Sequence, residues 1–158
     1  MKQEQFLHVV DRDEAERSFR AALGDLSPRT EVVALHEALG RGVALFNRQE
    51  FYEAHEVWEQ AWVDEIADER LLLQGLIQVA AGFYKLQVGA PQGTMKLLEN
   101  GLKKLRVFLG ASLGVDLEAF VPEVEAWQRE ATVLTEQKRA DYDPRRLPKL
   151  SYSPPAVH

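Results

Sequence analysis

The chain has 158 residues, of which 46% are hydrophobic and 28% charged, and its net charge is −6. Such a composition fits one globular domain with a sizeable core, and it excludes a disordered chain or a basic nucleic-acid module. The absence of cysteine excludes disulfides, thiolate chemistry and Cys-type zinc or iron–sulfur sites. The opening MKQEQFLHVVDRDE lacks the apolar stretch of a secretory signal, and no apolar run approaches the roughly 18 residues of a membrane span. A cytoplasmic protein with no membrane or nucleic-acid partner is expected.

Residues 11–24 read as a short helix, with Asp11 or Asp13 at its first turn and Gly24 at its end. Ser27-Pro28 opens a second, running to about Asn47, with Val33, Leu35, Leu39, Val43 and Phe46 available to the core. Gly40 and Gly42 weaken its middle by roughly 1 kcal/mol each relative to alanine, and mark a kink or a close contact. A third helix, about 49–67, puts Phe51, Ala54, Trp58, Ala61 and Trp62 on one face. After the charged bend DEIADER, a fourth helix over about 69–88 is apolar almost all round. Only Gln74, Gln78 and Lys85 form a polar stripe on it, which makes it a central helix.

Gly89-Ala90-Pro91 breaks the chain before a fifth helix, about 91–110, with Leu98, Leu102, Leu105 and Leu109 inward. A sixth, about 116–138, is bent at Pro122 and turns Trp127 and Leu134 inward. Residues 1–140 thus form a single helical domain, and 141–158, rich in proline, form a tail or a strap over the bundle. The expected fold is all-α: a compact bundle of about six helices built from helical hairpins. Shifting the chain by 40 residues aligns Tyr52–Glu59 with Gln92–Glu99, the look of a short helical repeat.

Three segments carry a family resemblance: Phe46-Asn47, Tyr52-x-x-His55-Glu56-x-x-Glu59-x-x-Trp62, and Gln74-Gly75-Leu76-Ile77-Gln78 ahead of Gly93 and a leucine helix. Across about residues 43–110 the chain resembles the bacterial and archaeal family called domain of unknown function 309. That resemblance implies an all-helical fold and no established activity. Residues 8–45, through Asp11–Ala15 and Val33–Arg41, are similar to the opening segment of molybdopterin molybdotransferases, whose catalytic parts have no counterpart here.

The polar constellation centres on His55 and Glu59, four residues apart on one helical face and bordered by Tyr52 and Trp62. Glu56 points further toward solvent. An imidazole and a carboxylate at this spacing can grip one metal ion, or the carboxylate can fix the imidazole's tautomer. The second histidine of the zinc-protease pattern is missing, and of the others only His36 lies where it can approach; His8 and His158 are near the termini. Gln74 and Gln78 can meet His55 and Glu59 between the third and fourth helices, or form the fourth helix's wet strip.

Three readings follow: a packed, satisfied core-edge histidine, a small-molecule pocket, or a metal site at His55 and Glu59. No catalytic triad, phosphate loop or dinucleotide fingerprint is present. The leading expectation is a non-catalytic binding module for a protein segment or a second copy, with no cofactor. The rival is a small-molecule or divalent-metal activity in an interhelical pocket, with Gln74 and Gln78 positioning the substrate.

Overall fold

In the computed structural model, which describes residues 28–64, 69–110 and 113–154, proline opens the first helix, α1, spanning Pro28–Asn47. It is followed by α2 (Phe51–Asp64), α3 (Glu69–Gln87), α4 (Pro91–Leu105) and α5 (Leu117–Glu136). Short 3-10 helices occupy Arg106–Phe108 and Pro144–Arg146. The all-α expectation holds, with five α-helices among the described residues. The sixth, expected over 11–24, lies outside the described residues, as does the Ser27 cap. Most of the segment behind the molybdotransferase similarity also lies there.

Each helix packs chiefly on the next in sequence, so the core is a stack of hairpins. Leu39, Phe46, Phe51, Trp58, Leu72, Phe83, Leu98 and Phe120 are among its fully buried side chains. Phe46 touches the rings of Phe51, Phe83 and Phe120 at 4.9–6.0 Å, mostly edge to face.

The 40-residue echo is present in the backbone. At the end of α1, Arg48, Gln49 and Glu50 donate N–H bonds to Ala44, Phe46 and Leu45. At the end of α3, Val88, Gly89 and Ala90 donate to Tyr84, Leu86 and Lys85, each 40 positions on. Both turns hold a left-handed residue at the same place, Gln49 with φ 64° and Gly89 with φ 83°. The aligned pairs Ala54/Thr94 and Trp58/Leu98 are fully buried. The turns that end α1 and α3 therefore share one geometry.

Small residues set the helix spacing. A Cβ on Gly42 would collide with the Trp58 indole, whereas one on Gly40 would meet only Tyr152 at 3.4 Å. Gly42→Ala is therefore expected to lower stability by about 1–2 kcal/mol through overpacking. Gly40→Ala should be neutral or raise stability by up to about 1 kcal/mol, because it removes a helix-weakening glycine. Thermal melts of the two variants in parallel would check the contrast; equal losses would contradict it.

Two expectations need correction. The α-helix expected to reach 110 tightens after Leu105, and Leu109 adopts an extended ψ of 123°. Leu109, expected inward, is therefore 45% exposed. The Gln74–Gln78–Lys85 stripe is not wet: all three residues are buried. Helix α5 begins on an Asp116 side chain that accepts from the Ala119 N–H, and it runs on through Pro122.

Beyond α5 the chain turns at Lys138 (φ 55°) and lies back across the bundle as an extended strap. Leu147 and Leu150 enter the core, and Val115 bridges Tyr152.

Candidate functional site

Helix α2 places His55 and Glu59 one turn apart. His55 is completely buried, and its Nδ1 lies 3.1 Å from the Tyr52 carbonyl oxygen. A carbonyl only accepts, so Nδ1 carries the proton and Nε2 presents a lone pair. That lone pair faces Glu59 Oε2 at 3.7 Å.

Burial pushes the His55 ring down to about 4, partly opposed by its bond to Tyr52, so the imidazole is neutral near pH 7. Burial, with a smaller push from the nearby Glu56 carboxylate, raises Glu59 to about 7. Near neutrality the two residues are thus no ion pair. They are a neutral imidazole facing a carboxyl group on the edge of ionisation, and the protonated carboxyl has its O–H available for Nε2. Glu59 keeps 26% of its side chain in solvent, so protons reach the pair from outside through it.

The surrounding side chains are mostly aromatic. The Tyr52 ring lies 5.3 Å from His55 and 5.5 Å from Tyr84. Trp62 is buried under the Arg70 guanidinium, whose carbon sits 4.3 Å from the ring centroid. Arg70 was not singled out from the sequence, where it reads as part of the charged bend. The only available cue was its position in the first turn of α3, just after the bend that follows Trp62.

The two glutamines do not close a network with this pair. No hydrogen bond among the described residues joins Gln74 or Gln78 to His55 or Glu59, and Gln78 Oε1 is buried without a hydrogen-bond partner. The Trp58 Nε1 is likewise buried without one. Gly93 makes room for the buried stem of Lys85: a Cβ there would press on Lys85 Cγ at 3.2 Å.

His36 does not approach His55 but bonds Tyr152 Oη through Nδ1 at 2.8 Å. His8 and His158 lie outside the described residues. His55 and Glu59 would offer a metal two donors, and no group of three or more His, Asp or Glu is placed to hold an ion among the described residues.

A second candidate lies on the outer surface, between the Arg106–Phe108 turn and the first half of α5. A groove of about 510 Å³ is lined there by Arg106, Leu109, Glu118, Val121, Pro122 and Glu125. Beside it Val107 is 67% exposed. The Arg106 guanidinium donates to Glu125 Oε2 at 2.6 Å on the rim. This face has no signature in the sequence, because it exists only where the helix ends five residues early.

Residues 39–97 match the family model described as domain of unknown function (DUF309), the family named from the sequence motifs. No curated protein matches the chain. No helix among the described residues is long and apolar enough to cross a membrane.

Proposed function

Starting from a family likeness with no assigned activity, we propose that this small helical domain is a non-catalytic interaction module that pairs with a second copy of itself. The observation that carries this reading is the groove beside Val107. Val107 and Leu109 are exposed beside an apolar concavity with a charged rim, and a contiguous apolar patch rimmed by polar residues is the kind of surface that marks an interaction site. The face offers a ridge, Val107, and a hollow floored by Leu109, Val121 and Pro122. Its rim carries both signs of charge, Arg106 against Glu118 and Glu125. A ridge, a hollow and opposite charges on one patch suit a two-fold contact, in which each copy supplies both halves.

Sedimentation velocity over a range of protein concentrations tests the proposal. The sedimentation coefficient is expected to rise toward a dimer with concentration. Added salt should strengthen the association, by screening the repulsion between two chains of net charge −6. The double variant Val107→Asp, Leu109→Ser should remain monomeric and fully folded. A wild-type chain that stays monomeric at several hundred micromolar in high salt would overturn it.

The unsatisfied Gln78 oxygen favours a second reading, a small ligand held between α2 and α3 with a donor group directed at that oxygen. The burial and neutrality of His55 support a packing role for the pair instead. On the packing role, the His55 ring signals followed by NMR should stay those of a neutral imidazole down to pH about 5 and ignore added zinc or manganese. Broadening on metal addition would favour the ligand reading.

A further inference from the structure

The strap is held in a way that ordinary core packing does not require. Asn47 uses its whole amide on one strap residue: Nδ2 donates to the Leu150 carbonyl at 2.8 Å, and Oδ1 accepts from the Leu150 N–H at 2.7 Å. Gln49 Nε2 donates to the Pro144 carbonyl at 2.6 Å, and Trp127 Nε1 donates to the Arg146 carbonyl at 3.1 Å. Two backbone bonds complete the seat, from Asp116 N–H to the Ser151 carbonyl and from Ser153 N–H to the Gly114 carbonyl. Gly114, at φ 87°, leaves its Cβ position empty where a side chain would strike the Ser153 carbonyl.

The receptor side chains therefore read main chain, which every peptide has. Selectivity comes from the anchors: Leu147, Pro148 and Leu150 are buried, while Arg145, Arg146, Lys149 and Ser151 face solvent. Main-chain bonds for affinity and alternate buried side chains for choice are the division of labour found in extended-peptide recognition. Tyr152 adds a fourth anchor, through His36.

We infer that the surface formed by Asn47, Gln49, Trp127 and the Gly114–Asp116 turn is a receptor for extended segments of the pattern Leu-Pro-x-Leu-x-Tyr from a partner protein. The chain's own strap is the resident occupant that such a segment displaces. This site lies apart from the Val107 groove and does not depend on the pairing proposed for it. Because the strap is tethered, a competitor meets a site that is free only in the fraction of molecules with the strap open. Its apparent affinity is lowered by that fraction.

The test uses the full chain and a fluorescent peptide of residues 142–154, followed by anisotropy. A chain carrying Leu147→Ser and Leu150→Ser, its receptor intact, is expected to bind the peptide at least tenfold more tightly than wild type. Adding Asn47→Ala to that chain should cost tenfold or more, and a peptide with the two leucines replaced by serine should not bind.

In parallel, unlabelled peptide at millimolar concentration added to isotope-labelled wild-type chain should move the backbone amides of the released strap, at Leu147, Lys149, Leu150 and Ser151, to unstructured positions, while the Asn47 side-chain amide and the Trp127 indole N–H, re-occupied by the same main chain, keep theirs. This second arm holds even where the loosened variant fails to fold. Absence of those shifts, or a folded loosened variant that ignores the peptide, overturns the inference. So does a peptide-free dimer that forms in wild type and vanishes with Leu147→Ser, Leu150→Ser, because the occupant is then a second copy's strap.

Discussion

Replacing Glu59 with glutamine is expected to give the protein a steep pH dependence of stability that the parent lacks. In the parent, His55 is held near 4 and Glu59 near 7 when folded, against ordinary values of 6.5 and 4.5. Stability rises with pH wherever the unfolded chain binds more protons. Between about pH 4 and 6.5 the unfolded chain carries a proton on His55 that the folded one lacks, so this residue makes stability climb with pH. Between about pH 4.5 and 7 the folded chain keeps a proton on Glu59 that the unfolded one has released, so this residue makes stability fall. Over most of that window the two slopes oppose each other, and their contributions nearly cancel.

Glutamine removes the second slope, keeps the side-chain shape, and has an N–H to offer His55 Nε2. Stability of the variant should then climb by about 3 kcal/mol from pH 4 to 6.5 and stay level above. Above pH 7 the variant should also exceed the parent, by less than that amount because Glu59 is partly solvated. Urea midpoints at intervals from pH 4 to 8 measure both effects. Parallel profiles for parent and variant would refute the account of this pair.

Gly101→Ala is expected to lower stability by about 2–3 kcal/mol, although helix propensity alone favours alanine by about 1 kcal/mol. A Cβ at this position would lie 2.8 Å from Val79 Cγ2, 2.9 Å from the Gly75 carbonyl oxygen and 3.2 Å from the Val79 nitrogen. Backbone atoms of a central helix cannot swing aside as a side-chain tip can, so α3 and α4 must separate along their shared face. That face also holds Gly82 against Leu98, and Gly75 against Leu105. Chemical denaturation of the variant measures the loss; a stability at or above that of the parent would mean the helices yield freely.

How much of this was legible depends on the distance over which each feature is decided. The helices were readable because the spacing of Leu35, Leu39, Val43 and Phe46 is a local property of one segment. So was the facing of His55 and Glu59, fixed by a four-residue step. The early end of α4 was not readable, because Leu109 continues the leucine period and nothing in RVFLG opposes a further turn. The burial of Gln74 and Gln78 is decided between elements, and an amide on an apolar helix reads equally as a wet strip or a buried group. Arg70 over Trp62 spans a bend of undistinguished charges. The part played by Asn47 was hidden by distance: its partner, Leu150, lies 103 positions away.

That separation bears on how the molecule comes off the ribosome. The hairpins can close as they emerge, since each helix packs chiefly on its neighbour in sequence, and short loops close fast. The strap is translated after all five helices, and its contacts run back to Asn47 and His36, more than 100 residues upstream. Between completion of α5, which supplies Trp127, and arrival of the strap, therefore, the Asn47–Trp127 seat has no resident. In that interval the surface is open to capture by the strap of a neighbouring chain on the same message, a route to misassembly by exchange of the strap.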